Sequence, residues 1–481
     1  MTDKAEFEIG VLYNDYHDSN HYHIMTRGSN IKDVLLYMGN PRVEMFNELY
    51  DWMVKLRIRA LWVFPATLLS MNINRGDFNL IRGYNWFSPD KVGYDGRPSG
   101  LRIRDRYIFF PDHMELKKGL DKSWQLPTED ELINSVEYVQ RASGQPLLWS
   151  PGYCAQEELR EIHTHHYQGP KIVPFVDTPL WKEVNRKIVN RPVWSKHLRN
   201  DKRGLTNEDK AKKYVHVFDK VGQYLGASAS IVCPIGDYVE VGGEMFSDKK
   251  VGFWQYTILD ISKSPFNGYE LYCPLSQKTN WASTNVLVFA QKSGIEIKIE
   301  RGIVWERIIG KALEKWANKL FDDRKSLDDP QRYPSTIAAR NAQATEKLKY
   351  IEMIGRFCVP GVAKEYYHPE WNRLTINQAI ANQSYTILKR VRENGVYPVL
   401  VSTDSIYVLS DEKEPNKAYP GILDYDKQLR GYRHVGTCKL TEEIITAFET
   451  ERLPIKIETV IKRSVKNYEL VNRKGQGNAT I

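Results

Sequence analysis

The sequence predicts a mixed architecture, in which an α/β part is followed by an α+β part. In the first 170 residues or so, an amphipathic helix at 43–55 leads into a continuous apolar run at 60–64 and then an alternating segment at 101–112. Strand, helix and strand in this order are typical of α/β domains. Farther along, short apolar runs at 214–218 and 397–401 lie on either side of long helical segments. A length of 481 residues allows roughly two to four domains.

Each element of the first part has its own pattern. The helix is predicted from apolar residues spaced three and four apart, namely Val43, Phe46, Leu49, Tyr50, Met53 and Val54. The run ALWVF at 60–64 is short and unbroken, as in a buried strand. The segment LRIRDRYIFFPD at 101–112 alternates as a half-buried strand pair does.

The second part begins after a basic, polar run at 194–213, which has no periodic apolar face and is predicted to be a linker. A strand at 214–218 follows it, then a helical region over roughly 303–356. A further helix at 375–394 leads into the strand at 397–401.

Composition narrows the class of protein. The formal net charge of +8 favours a polyanionic partner, although many enzymes are mildly basic. Five dispersed cysteines argue against a disulfide framework and a structural zinc site. The polar N-terminus and the absence of a membrane-length apolar run lead us to expect a cytoplasmic protein with no membrane partner.

The first segment that suggests chemistry is YVHVFDKVGQYLGAS, in which an apolar strand ends at Asp219 and Tyr224 follows five residues later. Phosphoryl transfer with two divalent ions needs carboxylates held on rigid elements. A strand-end Asp is more often a turn or helix-capping residue, so this segment alone leaves both interpretations open.

The second segment is GVYPVLVSTDSIYVLSDE, which predicts a β-hairpin. Two apolar strands, Val399–Val401 and Ile406–Leu409, are joined by a tight polar link whose tip presents Asp404. Asp and Ser are also favoured in plain hairpin turns. The shortness of the tip, the apolar strands and the long preceding helix favour a functional carboxylate.

These residues resemble a known family. STDSIYV is similar to motif C of family B DNA polymerases, whose usual form is Asp-Thr-Asp-Ser, and Asp219 with Tyr224 is similar to motif A. KLKYIEMIGRF at 347–357 resembles the Lys-x-x-x-Asn-Ser-x-Tyr-Gly pattern of motif B in part, keeping Lys347 and Gly355. The order and spacing are most similar to the small protein-primed polymerases of phages and linear plasmids.

The resemblance implies roles for these residues. Asp219 and Asp404 would be the catalytic metal ligands for two Mg²⁺ or Mn²⁺ ions, Tyr224 would stack under the sugar and reject ribose, and Lys347 would bind the triphosphate. Gly355 would belong to the nucleotide site. The implied partners are template and primer DNA, deoxynucleoside triphosphates, and a terminal or other replication protein.

A third resemblance lies near the C-terminus. Lys466-Asn467-Tyr468 is similar to the Lys-x-Tyr with which such polymerases contact DNA near the primer terminus. A chance match in a chain rich in Lys and Tyr is the alternative, as is a solvated surface position for Lys347.

The implied organisation is an RNase H-like N-terminal domain followed by a polymerase palm and fingers. The predicted parts are an exonuclease-like domain at 1–193, the linker at 194–213, palm at 214–300 and 375–481, and helical fingers with motif B at 301–374. The chain ends soon after Tyr468, which predicts a vestigial thumb.

The sequence also departs from the family pattern. Ser402 stands in place of the first Asp of motif C, while Ile351, Glu352 and Ile354 replace Asn, Ser and Tyr in motif B. The first strand ends Tyr-Asn-Asp at 13–15, without the Asp-x-Glu of an exonuclease, so we expect that domain to be inactive.

Two functions remain as hypotheses. The first is a template-directed DNA polymerase that acts by two-metal phosphoryl transfer in DNA replication. The second is a catalytically inactive, polymerase-derived protein that binds nucleic acid, initiates replication or acts at DNA ends. Both require the side chains of Asp219 and Asp404 to converge on adjacent strands.

Overall fold

The computed structural model describes most of the chain, and its ranges are 8–15, 18–26, 31–35, 43–64, 67, 85–87, 100–109, 128–145, 147, 151–162, 174–188, 193–195, 205–266, 275, 280–359, 366–424, 428–451 and 453–477. The chain divides into two compact units. The first comprises residues 1–167 and 318–356, and the second comprises residues 168–317 and 357–481.

The first unit is built on a mixed seven-stranded sheet in the order β3-β2-β1-β4-β7-β6-β5. Its strands are β1 (Glu8–Asp15), β2 (Asp18–Thr26), β3 (Ile31–Leu35), β4 (Ile58–Val63), β5 (Asn85–Phe87), β6 (Gly100–Ile103) and β7 (Arg106–Phe109). The central strands β1, β4 and β7 are parallel, and the outer pairs are antiparallel. The strand pair predicted at 101–112 is confirmed as β6 and β7.

Helices cover both faces of this sheet. They are α1 (Val43–Lys55), α2 (Glu129–Ser143), α3 (Pro151–Ile162) and α9 (Thr336–Arg356). The apolar stripe of α1 packs on one face with Leu61 and Val63, while α2, α3 and α9 pack on the other face with Ala60 and Trp62. The unbroken apolar run that predicted β4 is therefore explained, because a central strand covered on both faces has no polar side.

The second unit contains two antiparallel sheets. One has the order β16-β9-β15-β14-β8 and the other the order β10-β13-β11-β12. Their strands are β8 (Val193–Ser195), β9 (Tyr214–Lys220), β10 (Val239–Gly242), β11 (Val251–Asp260), β12 (Trp281–Ser283), β13 (Glu296–Trp305), β14 (Leu400–Ser402), β15 (Ser405–Ser410) and β16 (Tyr432–Lys439).

The helices of the remaining chain are α4 (Pro179–Lys187), α5 (Asn207–Lys210), α6 (Gln223–Ser228), α7 (Thr284–Lys292), α8 (Glu314–Ser326), α10 (Pro369–Asn394), α11 (Pro415–Ala418), α12 (Glu442–Thr450) and α13 (Pro454–Gly477). Short 3-10 turns lie at Pro174–Asp177 and Gly243–Met245. Within the described ranges, no helix is both long and apolar enough to cross a membrane.

The five-stranded sheet of the second unit is also covered on both faces. Val215, Val217 and Tyr407 face Ile457 and other apolar residues of α12 and α13. The alternate residues, including Phe218 and Ile406, lie in a core with α7 and α10. Strand alternation thus divides the apolar residues of β9 and β15 between the two cores.

Two predicted segments differ from the structure. The region expected to be helical from about residue 303 begins its helices at Glu314, because β13 continues to Trp305. The segment predicted as a linker contains α5, and its start belongs to β8, which pairs with β14. Edge pairing uses backbone groups alone, so a run without an apolar face can still form a strand.

Helix α9 carries an ion cluster within the first unit. The Nζ atom of Lys349 lies 2.7 Å from Glu158 Oε1 on α3 and 2.8 Å from Glu346 Oε1, and all three side chains are fully buried. Burial alone would lower the pKa of Lys349, but the two carboxylates outweigh burial and raise it. Burial and the charge of Glu158 raise the pKa of Glu346 to about 7, against the opposing effect of Lys349.

Replacing the buried lysine should destabilise the first unit. The Lys349→Met substitution leaves two carboxylates buried without their cation, and breaking a buried ion pair in this way costs about 3–5 kcal/mol. Urea unfolding of the full chain would measure the loss. Lys347→Met, at a half-buried position on the same helix, should cost less than about 1 kcal/mol. Equal losses for the two variants would contradict a special role for the buried cluster.

Glu346 should make the stability of the first unit depend on pH. Its raised pKa means that the folded chain holds a proton that the unfolded chain releases above its ordinary value of 4.5. The contribution of Glu346 to the free energy of unfolding is therefore present at pH 4 and is lost as the pH rises towards about 7. Glu346→Gln removes this loss, so the free energy of unfolding of the variant should rise relative to that of the parent from pH 5 to pH 8. If the difference between the two free energies stayed constant over this range, Glu346 would not cause the pH dependence.

Candidate active site

The hairpin that carries Asp404 has the shortest possible link. Ser402 of β14 pairs with Ser405 of β15, so only Thr403 and Asp404 form the turn. Thr403 has a φ of 53°, in the left-handed region that two-residue hairpin turns require. The predicted hairpin is therefore confirmed, with a tip that the pairing of both strands holds in place.

Strand β9 places Asp219 beside this tip. Asp219 pairs with Ser405 across the β9–β15 ladder, and the backbone N–H of Lys220 donates a 2.8 Å hydrogen bond to the carbonyl of Asp404. The structure thus brings Asp219 and Asp404 to the adjoining ends of neighbouring strands. The Asp404 side chain is half-buried.

A row of polar side chains crosses the sheet at this end. It runs through Arg433 of β16, Asp219, Ser405 and Ser402, which are successive partners in the ladders. Ser405 Oγ donates to Asp219 Oδ1 at 3.2 Å, and Arg433 donates to Asp219 Oδ2 at 2.8 Å from Nη2 and 3.3 Å from Nε. Asp219 is thereby oriented by two neighbours, one neutral and one cationic.

The two side chains of the Asp219–Arg433 ion pair differ in their exposure to solvent. The Asp219 side chain is 15% exposed and that of Arg433 is 50% exposed. The carboxylate is held within the sheet while its cation remains largely hydrated, so the pair contributes only modestly to stability.

The turn after β9 is held by the segment that precedes β16. The backbone N–H of Val221 donates to the Gly431 carbonyl at 2.8 Å, and the N–H of Arg430 donates to the Val221 carbonyl at 3.0 Å. Gly222, with a φ of 59°, then turns the chain into α6. Tyr224 lies in the first turn of α6 and is half-buried.

Helix α6 is also fixed from the other side. Gln223 Nε2 donates to Gln383 Oε1 of α10 at 3.0 Å, and both amides are buried. Lys220, the last residue of β9, is buried with its Nζ 5.4 Å from the centre of the Tyr432 ring. Burial, with a smaller contribution from Arg430, lowers the pKa of Lys220 to about 7.

The residues predicted from motif B lie in the first unit, on α9. Lys347 is half-buried, and a Cβ added at Gly355 would have no described atom within 4 Å apart from its chain neighbours and the backbone of its own helix. Glu352, in place of the family's Ser, accepts a 2.7 Å hydrogen bond from the backbone N–H of Gly152 in the first turn of α3. A carboxylate is favourable at a helix N-terminus, so Glu352 has a packing role. The nucleotide-binding roles of Lys347 and Gly355 stay predictions.

The Lys-x-Tyr residues lie on the long helix α13. Lys466 is exposed, whereas Tyr468 is half-buried and packs against the apolar core that includes Val215 and Val217. The ring of Tyr468 therefore contributes to anchoring α13 on the sheet. Contact of Lys466 and Tyr468 with DNA stays a prediction.

A neutral pair lies at the end of the first strand of the first unit. The backbone N–H of Asn14 donates to Thr67 Oγ1 at 3.0 Å, and Thr67 Oγ1 donates to Asn14 Oδ1 at 3.3 Å. Both side chains are buried. The expected inactivity of this domain stays a prediction.

The donor set around the hairpin suits a hard divalent cation. Within the described part of the chain, no group of three or more His, Cys, Asp or Glu residues forms a metal site. Two carboxylates at one edge nevertheless fit Mg²⁺, which keeps several waters and binds through one or two carboxylates plus substrate phosphates. Asp219 already has one cationic neighbour, because Arg433 Nη2 donates to its Oδ2.

The sequence did not reveal two of the residues at this edge. Arg433 reaches Asp219 only through the ladder between β16 and β9. Glu458 of α13 accepts a hydrogen bond from Ser402 Oγ. The one available signal was the alternation in YRHVGTCK at 432–439, which predicts a strand but not its partner.

Comparison with solved structures finds similarity to DNA polymerases. Phi29 DNA polymerase in its ternary complex with primer-template DNA and incoming nucleotides has a TM-score of 0.49 and 12% identity, over 90% of this chain and 84% of that chain. Its orthorhombic crystal form has a TM-score of 0.47 and 13% identity, over 90% and 85%. The family B DNA polymerase of Pyrobaculum calidifontis has a TM-score of 0.38 and 10% identity, over 97% and 65%.

No known protein family and no curated protein matches the chain. The similarities to solved structures are too weak to assign a family or an activity. Function therefore has to be argued from the strand ends and the hairpin.

The left-handed conformation of Thr403 should limit stability. A residue with a Cβ costs about 1–2 kcal/mol in this region, and glycine avoids that cost. Part of the gain is lost, because glycine also has more conformational freedom in the unfolded chain. Thr403→Gly should therefore raise the free energy of unfolding by about 0.5–1 kcal/mol, measured by urea unfolding. Thr403→Ala keeps the Cβ and should gain less than half as much. A glycine variant less stable than its parent would show that the threonine side chain itself holds the turn.

Proposed function

We propose that this chain is a template-directed DNA polymerase whose catalytic carboxylates are Asp219 and Asp404. The observation that carries the proposal is their placement at the adjoining ends of β9 and the β14–β15 hairpin, linked by the hydrogen bond from Lys220 to Asp404. Asp219 on a paired strand and Asp404 in a two-residue turn between paired strands are held more rigidly than acids on long loops, as phosphoryl transfer requires.

Asp219 and Asp404 would hold divalent cations, Mg²⁺ or Mn²⁺. When bound, such ions neutralise charge on the attacking and leaving oxygens of the transferred phosphoryl group. Ser405 orients Asp219 by donating to Oδ1, and Arg433 donates to Oδ2. Arg433 is half-exposed and would be available to bind the phosphates of the substrate.

The other assignments rest on the resemblance. Tyr224, held by the docked turn and by α6, would lie under the sugar and exclude ribose. Lys347 and Gly355 would take part in nucleotide binding, and Lys466 and Tyr468 in binding DNA. The partners would be primed template DNA, deoxynucleoside triphosphates and a terminal or other replication protein. Phage or plasmid replication is the setting that the resemblance favours.

One observation favours the second function, a polymerase-derived protein without catalysis. Arg433 donates two hydrogen bonds to Asp219 Oδ2, and Ser402 stands where the resembling motif has an acid. An edge whose carboxylate already has an internal cation could bind nucleic acid and perform no transfer. DNA binding is common to both functions, so incorporation is the measurement that separates them.

The polymerase hypothesis predicts incorporation that depends on both carboxylates. The full chain, supplied with a primed template, deoxynucleoside triphosphates and Mg²⁺ or Mn²⁺, should extend the primer. Asp219→Asn and Asp404→Asn should each lower the rate by about 10²–10³-fold, because each removes charge stabilisation in the transition state. Primer extension on a sequencing gel would measure it.

Asp411→Asn is the matched control. Asp411 immediately follows β15, away from the turn, is exposed and pairs with Lys212 on the surface. Its replacement should leave extension within a factor of two. No incorporation by the parent chain, with DNA binding intact, would overturn the polymerase hypothesis in favour of the inactive descendant.

A further inference from the structure

The hairpin that carries Asp404 has an anchor outside its own sheet. Ser402, the last residue of β14 before the turn, donates a hydrogen bond from Oγ to Glu458 Oε2 on α13. Ser402 is 5% exposed and Glu458 is 6% exposed. A buried hydrogen bond to a carboxylate is among the stronger interactions in proteins.

Glu458 is held firmly by its own helix. Ile457 and Ile461, on either side of it along α13, are fully buried in the core beneath the sheet. Lys462, one turn later, pairs with Glu458 Oε1 from a half-exposed position. The carboxylate is thus fixed by packing, with one oxygen directed to a hydrated cation and the other to the hairpin.

The surroundings are largely apolar, with the Tyr407 hydroxyl as a further polar neighbour of Glu458. Leu400 and Tyr407, the neighbours of Ser402 on the same face, belong to the core that α13 covers. Burial, followed by the charge of Glu458, raises the pKa of the Tyr407 hydroxyl. Burying a carboxylate on such a face costs free energy unless the group is paired, so packing alone does not account for a glutamate here.

We propose that Glu458 is a positioning residue for the polymerase reaction, acting through Ser402 on the turn that carries Asp404. The proposal rests on the proposed function of Asp404. In the resembling motif an acid stands at the position of Ser402. In this chain β14 carries the hydroxyl of Ser402 at this position, and the carboxylate is that of Glu458 on α13. The negative charge beside the turn therefore comes from a helix that packs on the sheet and not from the strand itself.

The effect expected of Glu458 follows from geometry. Only Thr403 separates Ser402 from Asp404, so a shift of Ser402 is passed to the catalytic carboxylate. A misplacement of about 1 Å at a reacting group can cost 10²-fold in rate. Because the Ser402–Glu458 pair is buried, we expect no direct contact of the pair with substrate, so kcat should fall while KM is retained.

The test uses four variants of the full chain and one control. Glu458→Gln removes the charge, Ser402→Ala removes the donor, and Ser402→Asp sets two carboxylates against each other. The double variant Ser402→Asp/Glu458→Gln moves the carboxylate from the helix to the strand. Glu443→Gln is the control, because Glu443 is an exposed carboxylate on α12 that pairs with Arg463 of α13.

Hydrogen exchange followed by mass spectrometry is the first readout. Glu458→Gln, Ser402→Ala and Ser402→Asp should each speed exchange in peptides covering 400–408, with little change in 442–450. The double variant should return 400–408 to the rate of the parent, and the control should leave it unaltered. Faster exchange throughout α12, α13 and the sheet, or no change at 400–408, would overturn the proposal by reducing Glu458 to a general packing role.

Primer extension is the second readout. The three single variants should lose between about tenfold and 10²-fold in kcat, with KM for the nucleotide within about threefold. The double variant should recover kcat to within about threefold of the parent. Failure of the double variant to recover both kcat and exchange would overturn the proposal.

The two proposals fail separately. A parent chain without incorporation overturns the polymerase function and with it the catalytic consequence of Glu458. The exchange pattern would still decide whether Glu458 positions the turn through Ser402. Incorporation by the parent together with full activity of Ser402→Ala and Glu458→Gln would overturn the role of Glu458 and leave the polymerase function standing.

Discussion

The two-residue turn at Thr403 and Asp404 is the constraint on which the candidate site depends. It sets the pairing of Ser402 with Ser405, and the next ladder then sets Asp219 opposite Ser405. A slip of one residue would send every side chain of a strand to the other face. Ser402 and Ser405 would then enter the core that contains Phe218, and apolar neighbours would take the edge beside Asp219. Thr403 adopts a left-handed φ, which is locally unfavourable. The register that this turn allows buries apolar side chains in the cores on both faces of the sheet.

Local periodicity predicted much of the fold, and it failed where partners are distant. Helix α1, the strand pair β6 and β7, and the hairpin have patterns that are complete within a few residues, so the sequence alone predicts them. Arg433 and Glu458 act on residues far away in the chain, and no spacing rule relates β16 or α13 to the turn. The Asp219 strand was predicted for the same reason as the hairpin. The row of polar side chains across four strands could not be predicted, because it depends on the registers between strands, which a single sequence does not supply.

Helix α9 illustrates a second reason for failure. Polar and charged residues occur on all of its faces, so periodicity does not separate the buried positions from the exposed ones. Lys347 was singled out by resemblance, whereas Lys349, two residues later, is the lysine that is fully buried between Glu158 and Glu346. A buried cluster of one lysine and two acids is costly to form and costly to disrupt. The cluster can be recognised only from the packing of α3 against α9.

The two clusters of charge differ in a way that bears on function. In the first unit, cation and acids are all buried, so the charges of Lys349 and Glu158 compensate each other permanently. At the hairpin the acids are shielded from solvent, whereas their paired cations are not. Asp219 and Glu458 lie within the sheet and the core, whereas Arg433 and Lys462 are about half exposed. Solvent therefore reaches the two cations but hardly reaches their carboxylates, which would be left without a partner if the cations moved away. The edge proposed as catalytic thus places a carboxylate held in the sheet beside a cation that solvent reaches, whereas the cluster of the first unit is closed to solvent.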